Sequence, residues 1–419
     1  MTTRRRILAL APFAPRFDAP HGGGRMIAEE IDALAADHDV ALLCLRRAGD
    51  PPVDEGLRRR CALVEDVVRR TTGIPRRLAR LVRAFADGTP LWVAEWREPA
   101  YAARVAAVAE QWRPDVVQVE YHVMGQYLSR LPPSARTTVL VEYEPGHAAA
   151  CERRDTAPSY LRFVRVRDAG AWERYERALL TRVDATIALT DRDAHALRTL
   201  APAAPLTVIR PGVAVPAAAL DPVGSDPPTL LFVGNFVHPP NRTAALRLAT
   251  RIFPRLRARV PALRLAIVGA DPPSALRRLA SDHVDVTGHV PDVVPYLDRA
   301  AVVVAPIDTG GGIRVKVLEA LAAGKAVVAS TRALAGLAVT PDEHCLRADT
   351  DDEIVAALEG LIADPGRRRR LAGAAHAWAR AELGWSTAVA AYGGLYDRLL
   401  DPPVTSRARR DAGGRAVGG

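Results

Sequence analysis

Three features of this 419-residue sequence predict an α/β protein made of two successive open, parallel-sheet domains. Short apolar runs rich in valine, isoleucine and leucine recur along the chain, each ending in a glycine, proline or polar turn and followed by apolar residues at helical spacing. The series breaks once, in the proline-, alanine- and glycine-rich stretch Gly212 to Pro228, and restarts abruptly at Thr229. The chain is also long enough for two separate cores. The reading is a first domain over 1–212, a linker over 213–228, a second domain over 229–384, a further helix over 385–400 and a disordered tail over 401–419.

In the first domain Ile7 to Ala11 reads as a strand, Gly22, Gly23 and Gly24 as the loop into a helix over Arg25 to Asp37, and Val40 to Leu45 as the next strand. The glycine trio either lets a ligand approach or makes a tight strand-to-helix connection; these residues alone leave both open. Farther on, Leu78, Leu81, Val82 and Phe85 line one helical face opposite Arg76, Arg77, Arg80 and Arg83. Such a helix more often packs on its own domain with solvated arginines, but it can also lie on an anionic membrane. Asp115 to Glu120 and Thr138 to Glu142 are strands that run into Tyr121-His122 and Tyr143-Glu144-Pro145-Gly146-His147. Functional groups in open α/β sheets gather at such carboxyl ends, so His122 and His147 are candidates. A helix around Trp172 to Thr181, a strand at Ala185 to Leu189, a helix capped by Thr190 and Asp191, and a strand at Thr207 to Pro211 close the domain.

The second domain starts with a strand at Leu230 to Val233, a loop over Gly234 to Pro240, and a helix expected to be capped by Asn241 and ended or kinked by Pro254. Leu263 to Val268 with Gly269, and Val284 to Thr287 with Gly288, repeat the strand-then-glycine pattern. Ala301 to Pro306 is the next strand. It leads into Thr309-Gly310-Gly311-Gly312, then a helix marked by Ile313, Val317, Leu318 and Leu321, a stop at Gly324 and a strand at Ala326 to Ala329. Asp351 to Ala363, Arg367 to Glu382 and Trp385 to Leu400 read as helices.

The strand, glycine turn and helix N-terminus around Gly310 form an anion site, because the first helical N–H groups lack internal partners. Arg314 and Lys316 in the first turn would oppose the helix dipole unless a bound diphosphate reverses the local field. The chain writes its positive charges almost wholly as arginine, and its only lysines are Lys316 and Lys325, so an ammonium at 316 is a specific choice. A P-loop is excluded: Lys325 is followed by Ala326, and Glu319 stands where the first glycine belongs. Gly310 to Gly312 also lack the spaced third glycine of a dinucleotide fingerprint.

The composition is globular, 49% hydrophobic and 25% charged, and the net charge of +9 calls for anionic partners. Dispersed arginines without a recognition module argue against nucleic acid. Cys44, Cys61, Cys151 and Cys345 show no metal-ligand spacing and fit a reduced, cytoplasmic protein. The apolar run near the start is broken by Pro12 and Pro15, which suits a first strand better than a signal peptide. No apolar run approaches the roughly 20 residues of a membrane crossing.

Two such domains, with the anion loop in the second, resemble the GT-B glycosyltransferases, in particular the retaining enzymes of family 4. The second domain carries the resemblance through LLFVGNFVHPPN, LAIVGADPP, VTGHVPDVVPYL and GGGIRVKVLEALAAGKAVVAS, and the first through GGGR, ALTDRDA and IRPGV. The resemblance implies two Rossmann-like domains facing a cleft, with the helix from Trp385 crossing back to the first domain. It implies a nucleotide-sugar donor, bound as a substrate and not as a cofactor, with no metal. Gly234 would face the phosphates, the backbone near His289 and Val290 the base, and Glu319 the ribose, while Gly310, Gly311, Gly312 and Ile313 would line the donor with their amides. The acceptor, a glycan, a lipid-linked glycan or a small molecule, would lie near Gly22, Gly23 and Gly24, with His122 positioning sugar or acceptor. Two positions depart from the family pattern. The first of two motif glutamates is Gly311, and an arginine and a lysine that hold the diphosphate are replaced by Asn235 and Asn241, so Arg314 and Lys316 are expected to supply that charge. A cytoplasmic protein, with peripheral contact to the inner face of the membrane left open, fits this reading. So do two alternatives: a nucleotide-sugar 2-epimerase of the same fold, and a non-catalytic sugar-nucleotide binding protein.

Overall fold

The computed structural model describes residues 3–19, 21–69 and 73–401. The first domain is a seven-stranded sheet: β1 (Arg6–Ala11), β2 (Asp39–Arg47), β3 (Leu63–Arg69), β4 (Val116–Glu120), β5 (Thr137–Glu142), β6 (Ala185–Ala188) and β7 (Leu206–Val208), in the order β3-β2-β1-β4-β5-β6-β7. The second is a six-stranded sheet: β8 (Thr229–Val233), β9 (Arg264–Val268), β10 (Val284–Gly288), β11 (Val302–Ala305), β12 (Val327–Ala329) and β13 (Leu346–Arg347), in the order β10-β9-β8-β11-β12-β13. Every neighbouring pair is parallel. The apolar runs explain this: Ile7, Ala9 and Ala11 of β1 enter one core and Leu8 and Leu10 the other, so helices must cover both faces. In each sheet the strand order reverses beside the first strand, between β1 and β4 and between β8 and β11. Crevices open at the carboxyl ends of such switch points.

Helix α1 is Gly22–Asp37, so the three glycines predicted to be a loop form its first turn. The reason is His21, whose Nδ1 accepts from the Gly24 N–H at 2.9 Å and caps the helix where no serine or aspartate stands. Helix α2, Ile74–Asp87, departs from the expected packing. Only Ala84 of it is buried, and Ile74, Leu78 and Val82 are 84%, 60% and 62% exposed. Its neighbours are the short helix α3 (Leu91–Glu95) and helix α4 (Arg162–Arg182), the latter reached through Arg167, which donates to Phe85 O at 3.2 Å. Edge strand β3, with the sequence LVEDVVR, was hidden by its charges.

In the second domain Asn241 does not cap its helix. The helix is Pro239–Arg247, its cap is His238, and Asn241 lies within the first turn. The kink expected at Pro254 is absorbed one turn earlier, in the π-helical stretch Leu248–Ile252. Helix α5, Val315–Ala322, begins after the glycine loop, with Arg314 at its cap.

The last helix, α6 (Trp385–Leu400), crosses to the first domain as expected. Its Tyr392, Leu395, Tyr396 and Leu400 complete the core that also holds Ile27, Ile31 and Val40. Beneath it lies a buried polar network: Gln118 Nε2 donates to Glu30 and Glu120 at 2.6 Å each, Tyr143 Oη donates to Glu120 at 2.9 Å, and Tyr396 Oη donates to Gln118. The linker is fixed to the second domain. Val213 N donates to Leu383 O and Leu220 N to Ala323 O, both at 2.9 Å, while fully buried Lys325 donates to the carbonyls of Asp221 and Asp298. Apart from Asp401, the expected tail lies outside the described residues.

Candidate functional site

The two switch points face each other across a narrow cleft. On the second-domain side, β11 leads into the loop Thr309 to Gly312, in which Gly310 and Gly312 have φ of +89° and +71°, the left-handed region that excludes most side chains. Arg314, expected to supply charge to a diphosphate, is directed at its own loop. Its guanidinium turns back and donates to Gly311 O at 2.5 Å, Gly310 O at 2.6 Å and Thr309 O at 3.1 Å, bracing the loop from behind. The loop is also held from the first domain: Glu152 accepts from Gly310 N–H at 3.0 Å and from Arg332 at 2.8 Å. One of the expected loop amides is therefore already occupied.

Lys316 sits where the sequence placed it, at the start of α5. Its Nζ donates to Asn241 Oδ1 at 2.6 Å, lies 5.0 Å from the Phe232 ring centre, and is 3.1 Å from where a side chain on Gly234 would begin. Desolvation, reinforced by the Arg314 charge, pulls the ammonium down to about 7. Asn241 in turn donates to Asn235 O at 2.7 Å. The two asparagines thus position the lysine. Gly234 N–H is taken by Val268 O at 2.9 Å, so this buried glycine offers close approach to Lys316 and not an amide.

Glu319 is brought into the cleft, but a residue overlooked in the sequence engages it. Arg25 of α1 donates from Nη2 to both oxygens of its carboxylate, at 2.9 and 3.1 Å. Exposed His289 and half-buried Val290 follow β10 at the rim. His289 lies within electrostatic reach of Asp18 in the first domain. Ile313 packs against apolar groups of both domains. On the first-domain side Gly22 abuts Val315, where a Cβ would be 3.2 Å from the valine Cβ, and Gly23 abuts the Tyr121 hydroxyl. Only Gly22 of the trio meets the second domain; Gly23 and Gly24 pack within the first.

His122 does not open to the cleft. It is 1% exposed, edge-on to Trp92 and Trp172, and its Nδ1 lies 2.6 Å from Glu142 Oε1. Burial lowers His122 to about 4 and raises Glu142 far above its usual range, so a neutral imidazole shares one proton with a protonated carboxyl group. With Glu176 these two form a buried set whose ligand atoms lie within 4.8 Å of one another, the one candidate cation-holding group among the described residues. Glu176 already accepts from Gly146 N–H at 2.6 Å and His147 N–H at 3.0 Å, while the buried His122 Nε2 and Glu142 Oε2 have no hydrogen-bond partner. His147 itself points to Ala169 O at 3.3 Å and Cys151 at 3.6 Å, inside the first domain.

Comparisons with known proteins agree with this architecture. The Glycosyltransferase Family 4 model matches residues 20–215, and the Glycosyl transferases group 1 model matches residues 227–364. Two mannosyltransferases of Mycolicibacterium smegmatis are similar over part of the chain. A GDP-mannose-dependent alpha-(1-6)-phosphatidylinositol monomannoside mannosyltransferase is 35% identical over 153 residues, 33% of this chain and 40% of that protein. A phosphatidyl-myo-inositol mannosyltransferase is 33% identical over 155 residues, 35% of this chain and 39% of that protein. The matched stretch thus spans about two fifths of each curated relative. Among solved structures, sucrose-phosphate synthase from Thermosynechococcus elongatus shares the fold with a TM-score of 0.72 at 20% identity, covering 95% of this chain and 100% of that one. Anabaena HepE, solved with UDP-glucose, shares it with a TM-score of 0.61 at 15% identity, covering 93% and 98%.

Proposed function

From a chain that belongs to the GT-B glycosyltransferases of family 4, with both domain types present in order, we propose a glycosyl transfer from a nucleotide diphosphate sugar to an acceptor hydroxyl, with retention and without a metal. The observation that carries this is Lys316. Its ammonium stands at the N-terminus of α5, beside buried Gly234, with no carboxylate paired to it among the described residues. A cation without a paired carboxylate at a helix N-terminus, desolvated and next to a second cation, favours an anion, and a diphosphate fits.

The chemistry follows. The bond between the anomeric carbon and the β-phosphate oxygen breaks, its electron pair leaves with the phosphate, and the acceptor hydroxyl takes the carbon. The acceptor's proton passes to a phosphate oxygen. Lys316 and the α5 dipole stabilise the charge that grows on the departing diphosphate, the largest effect available to such a site. Glu319 accepts from the ribose hydroxyls once Arg25 releases it. A thermal-shift series with UDP, GDP, UDP-glucose and GDP-mannose, followed by product analysis with phosphatidylinositol acceptors, tests the reading. The same product analysis separates transfer from 2-epimerisation, and binding without any turnover would indicate a non-catalytic protein.

The α2 surface supports a lipid-linked acceptor. Exposed Ile74, Leu78 and Val82 alternate with arginines at 76, 80 and 83, and exposed Tyr160, Phe163 and Val166 extend the apolar area toward α4. Apolar side chains among arginines suit the headgroup region of an anionic membrane. No helix of the described residues is long and apolar enough to cross one. Co-sedimentation with phosphatidylglycerol vesicles is expected for the intact chain and is expected to fail for Leu78→Asp with Val82→Asp.

A further inference from the structure

We infer that Glu144 is a sugar-facing carboxylate of the donor site, delivered to the glycine loop by the opposite domain. The inference rests on the transferase reading above. Gly311 is the observation from which it starts. A Cβ at that position would lie 3.1 Å from Glu144 Cδ and 3.3 Å from its Cγ, and would overlap Oε1 outright. The carboxylate of the first domain thus fills the space that a side chain at 311 would take. Gly311 is not among the residues with positive φ, so what it avoids is this one neighbour and not a strained backbone.

Glu144 is held there. Tyr143 before it stacks on Tyr121 with ring centres 4.2 Å apart, Pro145 follows it, and its own N–H donates to Glu142 Oε1 at 3.4 Å, the atom that also meets His122. The buried His122–Glu142 pair therefore positions Glu144. Among the described residues the Glu144 carboxylate makes no hydrogen bond or ion pair of its own, although Arg314 lies within electrostatic reach and spends its donors on the loop carbonyls. An anchored carboxylate with unused lone pairs, in a cleft, accepts from hydroxyl donors. A phosphate would be repelled. The group that presents several hydroxyls beside a diphosphate at Lys316 is the hexose joined to it.

Glu144→Gln, which keeps shape and removes charge, tests this against UDP, GDP, UDP-glucose and GDP-mannose by calorimetry. On the wild-type chain at least one sugar nucleotide should bind more tightly than its own nucleoside diphosphate. In Glu144→Gln that increment should fall by about 10- to 100-fold, the range for hydrogen bonds to a charged group, with nucleoside diphosphate affinity unchanged. Gly311→Ala should do the same by displacing the carboxylate. The double variant Glu144→Gly with Gly311→Glu, which returns a carboxylate to the same space from the other domain, should recover the increment. An undiminished increment in Glu144→Gln overturns the assignment while leaving the transferase reading intact. If no sugar nucleotide exceeds its nucleoside diphosphate on the wild-type chain, the donor reading itself falls, and this assignment with it.

Discussion

The two glycine triplets invite comparison, since Gly22 to Gly24 and Gly310 to Gly312 both stand between a strand and a helix at a switch point. In the first domain the glycines are helical, and their lack of side chains lets α1 approach Tyr121 and Val315. In the second they form an open loop, two of them in left-handed backbone, with Glu144 filling the space beside the third. One triplet serves close packing, mostly within its own domain, and the other shapes an open loop. The same letters in sequence thus mark two halves of one cleft, and only the partner across the gap tells them apart.

That contrast can be broken most forcefully at Lys316. Lys316→Ala should lower kcat/KM by roughly 100-fold or more, the scale for losing one preorganised charge-stabilising donor, without changing the melting temperature. Unchanged kinetics would move the diphosphate elsewhere. Acidity gives the next largest effect. The free ammonium is held near 7, and a bound diphosphate must raise it, so binding takes up a proton above that value. Affinity for a sugar nucleotide, whose diphosphate does not titrate in this range, should be flat below pH 7 and fall by up to about tenfold per unit above it. Lys316→Arg should abolish the slope. A flat wild-type profile from pH 6 to pH 9 would show that the lysine is charged throughout.

Arg25 sharpens the comparison from the packing side. Its pair with Glu319 competes with the ribose, so Arg25→Ala should tighten nucleoside diphosphate binding several-fold, on the scale of about 1 kcal/mol for a partly exposed pair. Weaker binding would instead place Arg25 among the ligand's contacts. The smallest difference is expected between Gly22→Ala and Gly310→Ala. The first meets Val315 at 3.2 Å and should cost only domain closure, seen as a raised KM. The second also carries backbone strain at φ +89°, about 1 kcal/mol or more, and should lower the melting temperature as well. Equal melting temperatures for the two variants would erase the distinction between the triplets.

Much of the fold was legible because parallel strands buried on both faces leave unbroken apolar runs, and each ended in a turn residue. Strand β3 was not, since an edge strand can carry Glu65 and Asp66 among its valines and pair them with Arg104, Arg46 and Arg58. At the site, Lys316 stood out as one of two lysines placed in a first helical turn, and Glu319 through the family resemblance. Arg25, Glu144 and Glu152 were not, because their meaning lies in contacts across more than a hundred positions of sequence, and no periodicity reports a contact of that kind. A signal for Glu144 was nonetheless present: it stands in the carboxyl-end segment that drew attention to His147, one residue before a proline that fixes its backbone. Arg314 misled for the opposite reason. Sequence gives a charge but not its direction, and this guanidinium points back into its own loop.

The buried network under α6 has a consequence for the order of synthesis. Glu30, Gln118 and Glu120 lie in the first third of the chain, yet Tyr396 is needed to complete their hydrogen bonds, and Tyr392, Leu395 and Leu400 to close the core above them. A first domain emerging from a ribosome would hold two carboxyl groups and an amide under an apolar gap until the final helix arrives. N-terminal domains commonly fold as soon as they are complete. Here completion waits for the helix Trp385–Leu400, so the nascent chain should stay protease-sensitive in its first domain until that helix has emerged, and a fragment stopped at residue 384 should not acquire a resistant first domain.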